Sequence, residues 1–507
     1  MVFEPNYTRI VSSTRKKVGI TQSVVEVRLP AGEEEIVEVF SVGARSTVIR
    51  NEVSGSNVTF TGLVDFQVMG KSVSGEIVAV DYTAEFKDNY TAKEEIRGEL
   101  VISSSVADVT GSVASNGVKI VAIVDILIDV IESEDVNVLT SINGDMEVLP
   151  NKITYMTFRG KATERFDVEE DIVINNTNRV YMVTPCVSIK SVNPRDNFAV
   201  VNGVVNLDIC YGKLNEQNGI ATHTHSIDFT WEVALDGMNE KSYIQSAVSI
   251  LSNEIRVSTS LEENNANIKV LMPINYCGYV FNNVEIDVID DVYSKTNYIS
   301  ITAEKVSTIE GRNALYFKDN ISGTASISDT APFIDEILSV CTNNIVLASS
   351  DVENGKLSIE GIANSTVVYY TKETDSLTSV QVEMPFMVEE KVEGDMSNIV
   401  TLCLDGVMAK SKRGKEIEVS AELCVYTDLY SYKNDVVISS VAQGDEKIND
   451  DCAMYIYVVK AGQSVWDVAK EMNVSEDLIL EQNPDVILPL VGGEKLLIYK
   501  PKLIQYE

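Results

Sequence analysis

The chain holds two histidines, His223 and His225, one residue apart. On a strand both imidazoles would point to one face, an arrangement that can share a metal ion. No cysteine or carboxylate cluster stands at a spacing that supplies a third ligand. An exposed strand edge or loop in this Thr-rich stretch is therefore expected. The same scarcity leaves little scope for Ser-His-Asp or Cys-His nucleophilic catalysis, which needs an imidazole base. Met69-Gly70-Lys71-Ser72 has the ending of a phosphate-binding loop. Asp65 stands where that loop needs a glycine, and Val73, Gly75 and a β-rich run follow where a helix should begin, so a hairpin turn is expected. Glu169-Glu170 and Asp290-Asp291 lie in charged runs that read as solvated surface, with nothing beside them to raise one pKa for acid/base work. No Asp-x-Asp-x-Asp-Gly loop is present to bind calcium. The residues assign no catalytic group, metal or cofactor, and the chain reads as non-enzymatic.

The elements that would position any site belong to a chain of 507 residues with 45% apolar content. That length suggests roughly three to five domains. Lys plus Arg number 41 against 76 for Asp plus Glu, a net charge of −35. Such an excess opposes nucleic acid and anionic membranes, whose binding needs cationic surface. It serves solubility, or complements a basic partner. Seven cysteines occur, Cys186, Cys210, Cys277, Cys341, Cys403, Cys424 and Cys452, with no Cys-x-x-Cys. Their odd number and apolar surroundings point to buried free thiols in a reducing compartment. The N-terminal Met-Val-Phe-Glu-Pro-Asn-Tyr lacks a signal-peptide pattern. The apolar run Val118 to Ile131 is broken by Lys119, Asp125 and Asp129 and is short for a bilayer span. Neither ordinary export nor membrane insertion is expected.

Up to about residue 450 the chain is rich in Val, Ile, Thr and Ser with turn residues at short intervals, the pattern of antiparallel β structure. The pattern repeats. Gly62, Gly203 and Gly361 each sit in an apolar strand context. Further on, each copy has an aromatic in an alternating strand, Phe86, Trp231 and Phe386. Late hairpins begin at Ser115-Asn116-Gly117, Asn264 and Lys412-Arg413-Gly414, and Asn-Gly is a strong two-residue hairpin signal. The copies start near Val24, Thr163 and Ser322, a spacing on the order of 140 to 160 residues that fits tandem globular domains rather than a solenoid. The fold expected is mainly β: sandwich-like or barrel-like domains over 1–150, 160–305 and 318–448, the first more divergent, then a small βααβ domain over 454–502. The glycines read as bulges or close-packing points.

The last module can be built residue by residue. Tyr457 and Val459 alternate as a short strand, and Gly462 turns the chain. Ser464 caps a helix, with Asp467 completing a capping box, and Val465, Val468, Ala469 and Met472 form its apolar stripe. Asn473 ends it, Ser475 caps a second helix, and Asn483-Pro484 stops that one. Leu496 and Ile498 supply the closing strand. This segment resembles a LysM domain. With the β repeats, the whole chain resembles the clostridial spore-coat assembly proteins that carry SPOCS domains followed by LysM.

The resemblance implies a scaffold in the mother-cell cytoplasm, at the forespore surface and then in the coat. Its LysM module would dock on the coat-basement ATPase, stage IV sporulation protein A, and the β-domains would recruit other coat proteins. In glycan-binding LysM domains the groove lies between the loop after the first strand and the loop after the second helix. The matching positions are Gly462, Gln463 and Ser464, then Asn483, Pro484, Asp485, Val486 and Ile487, with Leu488 beyond. Gly462-Gln463-Ser464 departs from the common Gly-Asp-Thr. The loop from Asp485 to Val491 is more apolar than a sugar site and suits a protein partner. Trp466 reads equally as core or as binding anchor. A peptidoglycan or N-acetylglucosamine binder is the alternative, and a phage or secretion-linked structural protein is a third.

Overall fold

The computed structural model describes residues 3–500 apart from 30–34, 116, 215–218, 251–253, 263–264, 312–313, 395 and 448–453. Period-two alternation makes nearly all of the chain before the last module strand. In β3 (Asn57–Ser72), Val58, Phe60, Gly62, Val64, Phe66 and Val68 are buried, while Thr59, Thr61, Leu63, Asp65 and Gln67 between them are half-exposed.

One strand order occurs three times. In the first module β1 (Glu4–Leu29), β6 (Gly117–Asn143) and β5 (Glu99–Ala114) form one antiparallel sheet. There β2 (Ile36–Ser54), β3 and β4 (Ile77–Thr91) form the other. Val58, Phe66, Ile120 and Ile126 belong to the shared core between them. The second module repeats this with β7 (Met146–Asn175), β8 (Thr177–Arg195), β9 (Phe198–Lys213), β10 (Ile220–Ala234) and β13 (Asn265–Ser294). Its fifth strand is broken into β11 (Tyr243–Ile250) and β12 (Arg256–Glu262), both paired to β13. In the third module it is the first strand that is broken, into β14 (Asn297–Gly311) and β15 (Leu315–Ser326), both paired to β20 (Glu416–Glu446). Its β16 (Glu336–Glu353), β17 (Lys356–Thr371), β18 (Ser376–Lys391) and β19 (Ser397–Lys412) complete the order. Each module is thus two facing sheets, the sandwich of the two β architectures expected.

The outer strands run past their sandwiches as two-stranded ribbons, with Glu4 opposite Asn143, Met146 opposite Ser294 and Asn297 opposite Glu446. The ribbons pack on one another through Ile10, Val136, Val138, Ile153, Val288, Val306 and Val437. They place residues 146–159 with the second module and 297–311 with the third, earlier than the repeated glycine and aromatic pattern begins. A second shared cluster takes Phe40, Met69 and Ile77 from the first module, Met182, Cys210 and Ile220 from the second, and Leu338, Val368 and Leu377 from the third. Met69, Cys210 and Val368 each lie seven residues after the module's glycine, so the three modules meet at equivalent positions.

The glycines are close-packing points. A Cβ on Gly62, Gly203 or Gly361 would lie 2.4, 2.2 or 2.4 Å from the ring tip of Phe86, Phe229 or Phe386. Phe229, not Trp231, is therefore the repeat's aromatic in the second module, because Phe229 stands opposite Gly203 in register. Trp231 is two residues on, on the same strand face, and stacks on Phe229 at 3.7 Å between centroids. Period-two alternation does not distinguish the two positions.

Arg413 and Gly414, with φ of 53° and 68°, turn β19 into β20. Asn116 and Asn264 of the other two hairpins lie outside the described residues, as does Cys452. Cys186 and Cys403 correct the expectation of free thiols throughout. They are joined as a disulfide, 217 residues apart in sequence, because β8 lies against β19 at the junction of the second and third modules. Cys210, Cys341 and Cys424 are buried free thiols and Cys277 is half-buried. Among the described residues no helix is long and apolar enough to cross a membrane. The run from Val118 to Ile131 is strand β6, with Ile120, Ala122, Val124 and Ile126 inside the first core.

The chain closes with β21 (Met454–Val458), α1 (Val465–Met472), α2 (Glu476–Gln482) and β22 (Lys495–Tyr499). The two strands pair antiparallel, with Tyr455 opposite Ile498 and Tyr457 opposite Leu496.

Candidate functional site

The small module holds its shape through local hydrogen bonds. Ser464 and Asp467 form the capping box: the Asp467 amide donates to Ser464 Oγ at 3.1 Å, and the Ser464 amide donates to Asp467 Oδ2 at 2.7 Å. The Ser464 amide and then the Ser464 hydroxyl, which also donates to Oδ2 at 2.7 Å, hold the Asp467 carboxyl below its ordinary range. Asn473 ends α1 in the left-handed conformation at φ 54°. Asn483 ends α2 and ties it to the sheet. Its Nδ2 donates to Ile479 O and Leu497 O, and its Oδ1 accepts from the Leu497 amide, each at 2.8 Å. Val468, Ala469, Ile479, Leu496 and Ile498 fill the core beneath.

One face of the module is fixed to the rest of the chain. Trp466, 6% exposed, meets Tyr293 of β13 edge-on at 4.9 Å between centroids. Its indole donates to Asp291 Oδ2 at 2.8 Å, and Lys470 Nζ donates to both oxygens of Asp291 at 2.7 and 2.6 Å. Tyr293 OH donates to Val474 O at 2.6 Å. Lys447, at the end of the third module, donates to Asn473 Oδ1 and to Ser294 O. The module therefore sits on the tip of the second module's ribbon. Trp466 serves as an anchor, but toward its own chain. Asp291, which reads in sequence as solvated surface, is its partner. Only its neighbour Asp290 is exposed.

Elsewhere the module presents apolar side chains to solvent. Ile487, Leu488 and Val491 are 82%, 53% and 78% exposed on the loop after α2. The Leu488-Pro489 peptide in this loop is cis. Met454, Ile456, Val458, Leu497 and Tyr499 are also exposed, and their pairing puts them on the outer face of the two-stranded sheet. Together these residues form an apolar surface of the kind that marks interaction sites.

The sequence-derived site residues thus divide by role. Gln463 is occupied within the module, its Oε1 accepting from the Lys460 amide at 2.9 Å and from Tyr457 OH at 3.0 Å. Ser464 and Asn483 are held by cap and clamp, Trp466 is buried, and Val486 lies half-buried against the core. Gly462, Pro484, Asp485, Ile487 and Leu488 are exposed and open to a partner. The residues missed by sequence, Met454, Ile456, Val458 and Leu497, are strand residues facing out. The signal was an apolar run with no polar alternation in a module too small to bury both faces of its sheet.

His223 and His225 lie on β10, an edge strand of its sheet, with ring centroids 6.3 Å apart. His225 Nε2 is 3.1 Å from Glu170 Oε1. Among the described residues no group of three His, Cys, Asp or Glu is placed to hold a metal ion. Met69 to Ser72 finish β3 and a turn follows, with the Gly75 amide donating to Ser72 O at 2.9 Å.

Residues 177–269 match the family model described as SipL, SPOCS domain. The match runs from β8 into β13 and gives the chain a domain of the sporulation and spore-coat class. No curated protein and no solved structure matches.

Proposed function

We propose that this protein is a non-enzymatic scaffold of spore-coat assembly, with a LysM-type C-terminal module that docks on the coat-basement ATPase, stage IV sporulation protein A. The three SPOCS-like sandwiches recruit other coat proteins in the mother-cell cytoplasm at the forespore surface. One observation carries this reading: a module anchored by Trp466 and Lys470 on one side leaves Ile487, Leu488 and Val491 uncovered. A lip of three aliphatic side chains fits an apolar protein surface and offers little to the hydroxyls of a sugar. The match over 177–269 supports the coat setting.

Capture of the purified ATPase by the full chain tests the proposal, beside Ile487→Asp, Leu488→Asp and a chain ending at Asp451. Capture weakened at least tenfold in the two aspartate variants, with unchanged melting, is the expected result. Undiminished capture by both removes the lip from the mechanism. Peptidoglycan or N-acetylglucosamine binding is the second reading, favoured by the βααβ order. Chitin-oligomer binding by the full chain without ATPase capture would establish it.

A further inference from the structure

The two strands of the C-terminal module have unlike outer edges. That of β22 is closed by side chains of α2 and its cap, which imitate a neighbouring strand. Asn483 occupies both the amide and the carbonyl of Leu497. Gln482 does the same at Tyr499: its Nε2 donates to Tyr499 O at 2.9 Å, and its Oε1 accepts from the Tyr499 amide at 2.7 Å. In an antiparallel pair a residue's N–H and C=O share one edge, and the edge alternates along the strand. Leu497 and Tyr499 point away from β21, so Leu496 and Ile498 exchange the ladder bonds with Tyr457 and Tyr455. The Val459 amide, which donates to Glu494 O at 2.9 Å, has the same phase as those two tyrosines. Ile456 and Val458 therefore direct their N–H and C=O away from β22.

That second edge is open. Among the described residues neither the amide nor the carbonyl of Ile456 or Val458 has a hydrogen-bond partner. The two residues are 70% and 53% exposed. An unpaired edge is a template for another strand, and proteins blunt it with proline, charge or a bulge. β21 reads Met-Tyr-Ile-Tyr-Val, without proline or charge, and its register with β22 is unbroken.

We propose that β21 is a strand-addition site, where an extended segment of a partner protein becomes the third strand of this sheet. The two donors and two acceptors of Ile456 and Val458 hold the segment's backbone. Its alternate side chains lie beside Met454, Ile456 and Val458 on the outer face, where apolar cross-strand neighbours are favoured. The residues between them are uncharged or basic, because a chain of net charge −35 repels an acidic segment. The same repulsion stands against a second copy of this chain as the occupant. Ile487, Leu488 and Val491 take no part, so the edge gives the module an attachment independent of its lip.

The test uses full-length protein and a fluorescent octapeptide of alternating valine and lysine, followed by anisotropy. Saturable binding is expected. Ile456→Pro deletes an amide that β22 does not use and blocks an added strand, so binding should fall about tenfold or more. Ile456→Thr keeps that amide and a β-branched side chain, so it should bind within about threefold of the wild type. Trp466 emission in a Trp231→Phe background checks that the module stays folded in both. The same peptide N-methylated throughout keeps its charge but has no backbone donors, and it should be inert whatever the fate of the protein variants. A valine-glutamate peptide should bind more weakly than the lysine one. No binding by the wild type, equal binding of the N-methylated peptide, or undiminished binding by a folded Ile456→Pro would each overturn strand addition. So would equal losses in Ile456→Pro and Ile456→Thr, which would indicate a contact made by the side chain alone. Tighter binding of the glutamate peptide would overturn the basic partner. Self-association in sedimentation that Ile456→Pro abolishes would give the edge to a second copy instead. Peptide binding that appears only in a chain ending at Lys500 would give it to the chain's own last residues.

Discussion

Replacing Asp291 by alanine tests the anchoring of the C-terminal module most directly. Two attractions end on this carboxylate. The Trp466 indole N–H donates at 2.8 Å from a nearly buried ring, and a hydrogen bond to a charged group contributes about 1.5–3 kcal/mol. Lys470 donates from a side chain 42% exposed to a carboxylate 25% exposed, so its share is nearer about 0.2–1 kcal/mol. Asp291→Ala therefore weakens the contact by about 2–4 kcal/mol. The Tyr293 bond to Val474 O and the ring contact remain. Trp231 and Trp466 are the two indoles of the chain, so in a Trp231→Phe background emission reports on Trp466 alone. A module of this size has a urea dependence of about 1 kcal/mol/M, near the low end for small proteins. The red shift of emission is thus expected to move about 2 M or more lower in urea, ahead of the loss of β signal in circular dichroism. Asp290→Ala, one residue away and exposed, should leave it in place. An emission midpoint indifferent to Asp291→Ala would refute the assignment of Asp291 as the anchor.

Three further outcomes are expected. Gly203→Ala puts a Cβ 2.2 Å from Phe229 and 2.5 Å from the Ser188 carbonyl, which is backbone and yields little, so urea unfolding should show a loss of about 1–3 kcal/mol. Asp428, enclosed between the second and third modules, has its carboxyl pushed up to about 7 by burial, against the pull of Ser246, Tyr426 and Arg15. A folded-state pKa above the unfolded value means that the fold favours the protonated form, so this stability is complete below about pH 4 and is lost as pH rises towards 7. Asp428→Asn should therefore gain on the wild type in melting temperature between pH 4 and 7.5, and a gap that is flat with pH would contradict the assignment. Ile487→Asp and Leu488→Asp, at exposed positions, should leave stability within about 0.5 kcal/mol in thermal melts.

Much of this architecture is legible in local pattern, for reasons of periodicity. Alternating Val, Ile and Thr specify strands, and a glycine beneath an aromatic ring marks the same point in each sandwich because only hydrogen fits there. The capping box and the left-handed Asn473 are set by contacts within a few residues, so they read directly from sequence. The pairing of Phe229 with Gly203 was not legible, since Trp231 offers the same face two positions later. Nor were contacts between residues far apart in sequence, such as the bond between Cys186 and Cys403 or the one between Trp466 and Asp291. In each the decisive partner is supplied by another module, and an Asp-Asp pair in an acidic chain carries no sign of which carboxylate an indole will meet. The candidate lip was visible as an unusually apolar loop. The apolar outer face of β21 and β22 became visible only once their register was known.

Anchoring the small module changes what docking through its lip demands. A module on a free tether keeps its orientational freedom and must surrender it when the rest of the chain engages the same surface, a cost that lowers the gain from joint attachment. Trp466, Lys470 and Tyr293 remove that freedom beforehand, so the lip is presented at a fixed attitude to the three sandwiches. On a polymerised partner surface, attachment at several points gains avidity only where the geometry lets them engage together. Asp291→Ala and Leu488→Asp should then fail differently. Loss of the lip residue weakens capture of a single soluble partner molecule and of its polymer alike. Loss of the anchor spares most of the single-molecule affinity and costs the gain on the polymer. Equal losses in both formats for Asp291→Ala would show that the ribbon itself contributes to the contact surface, beyond holding the module in place.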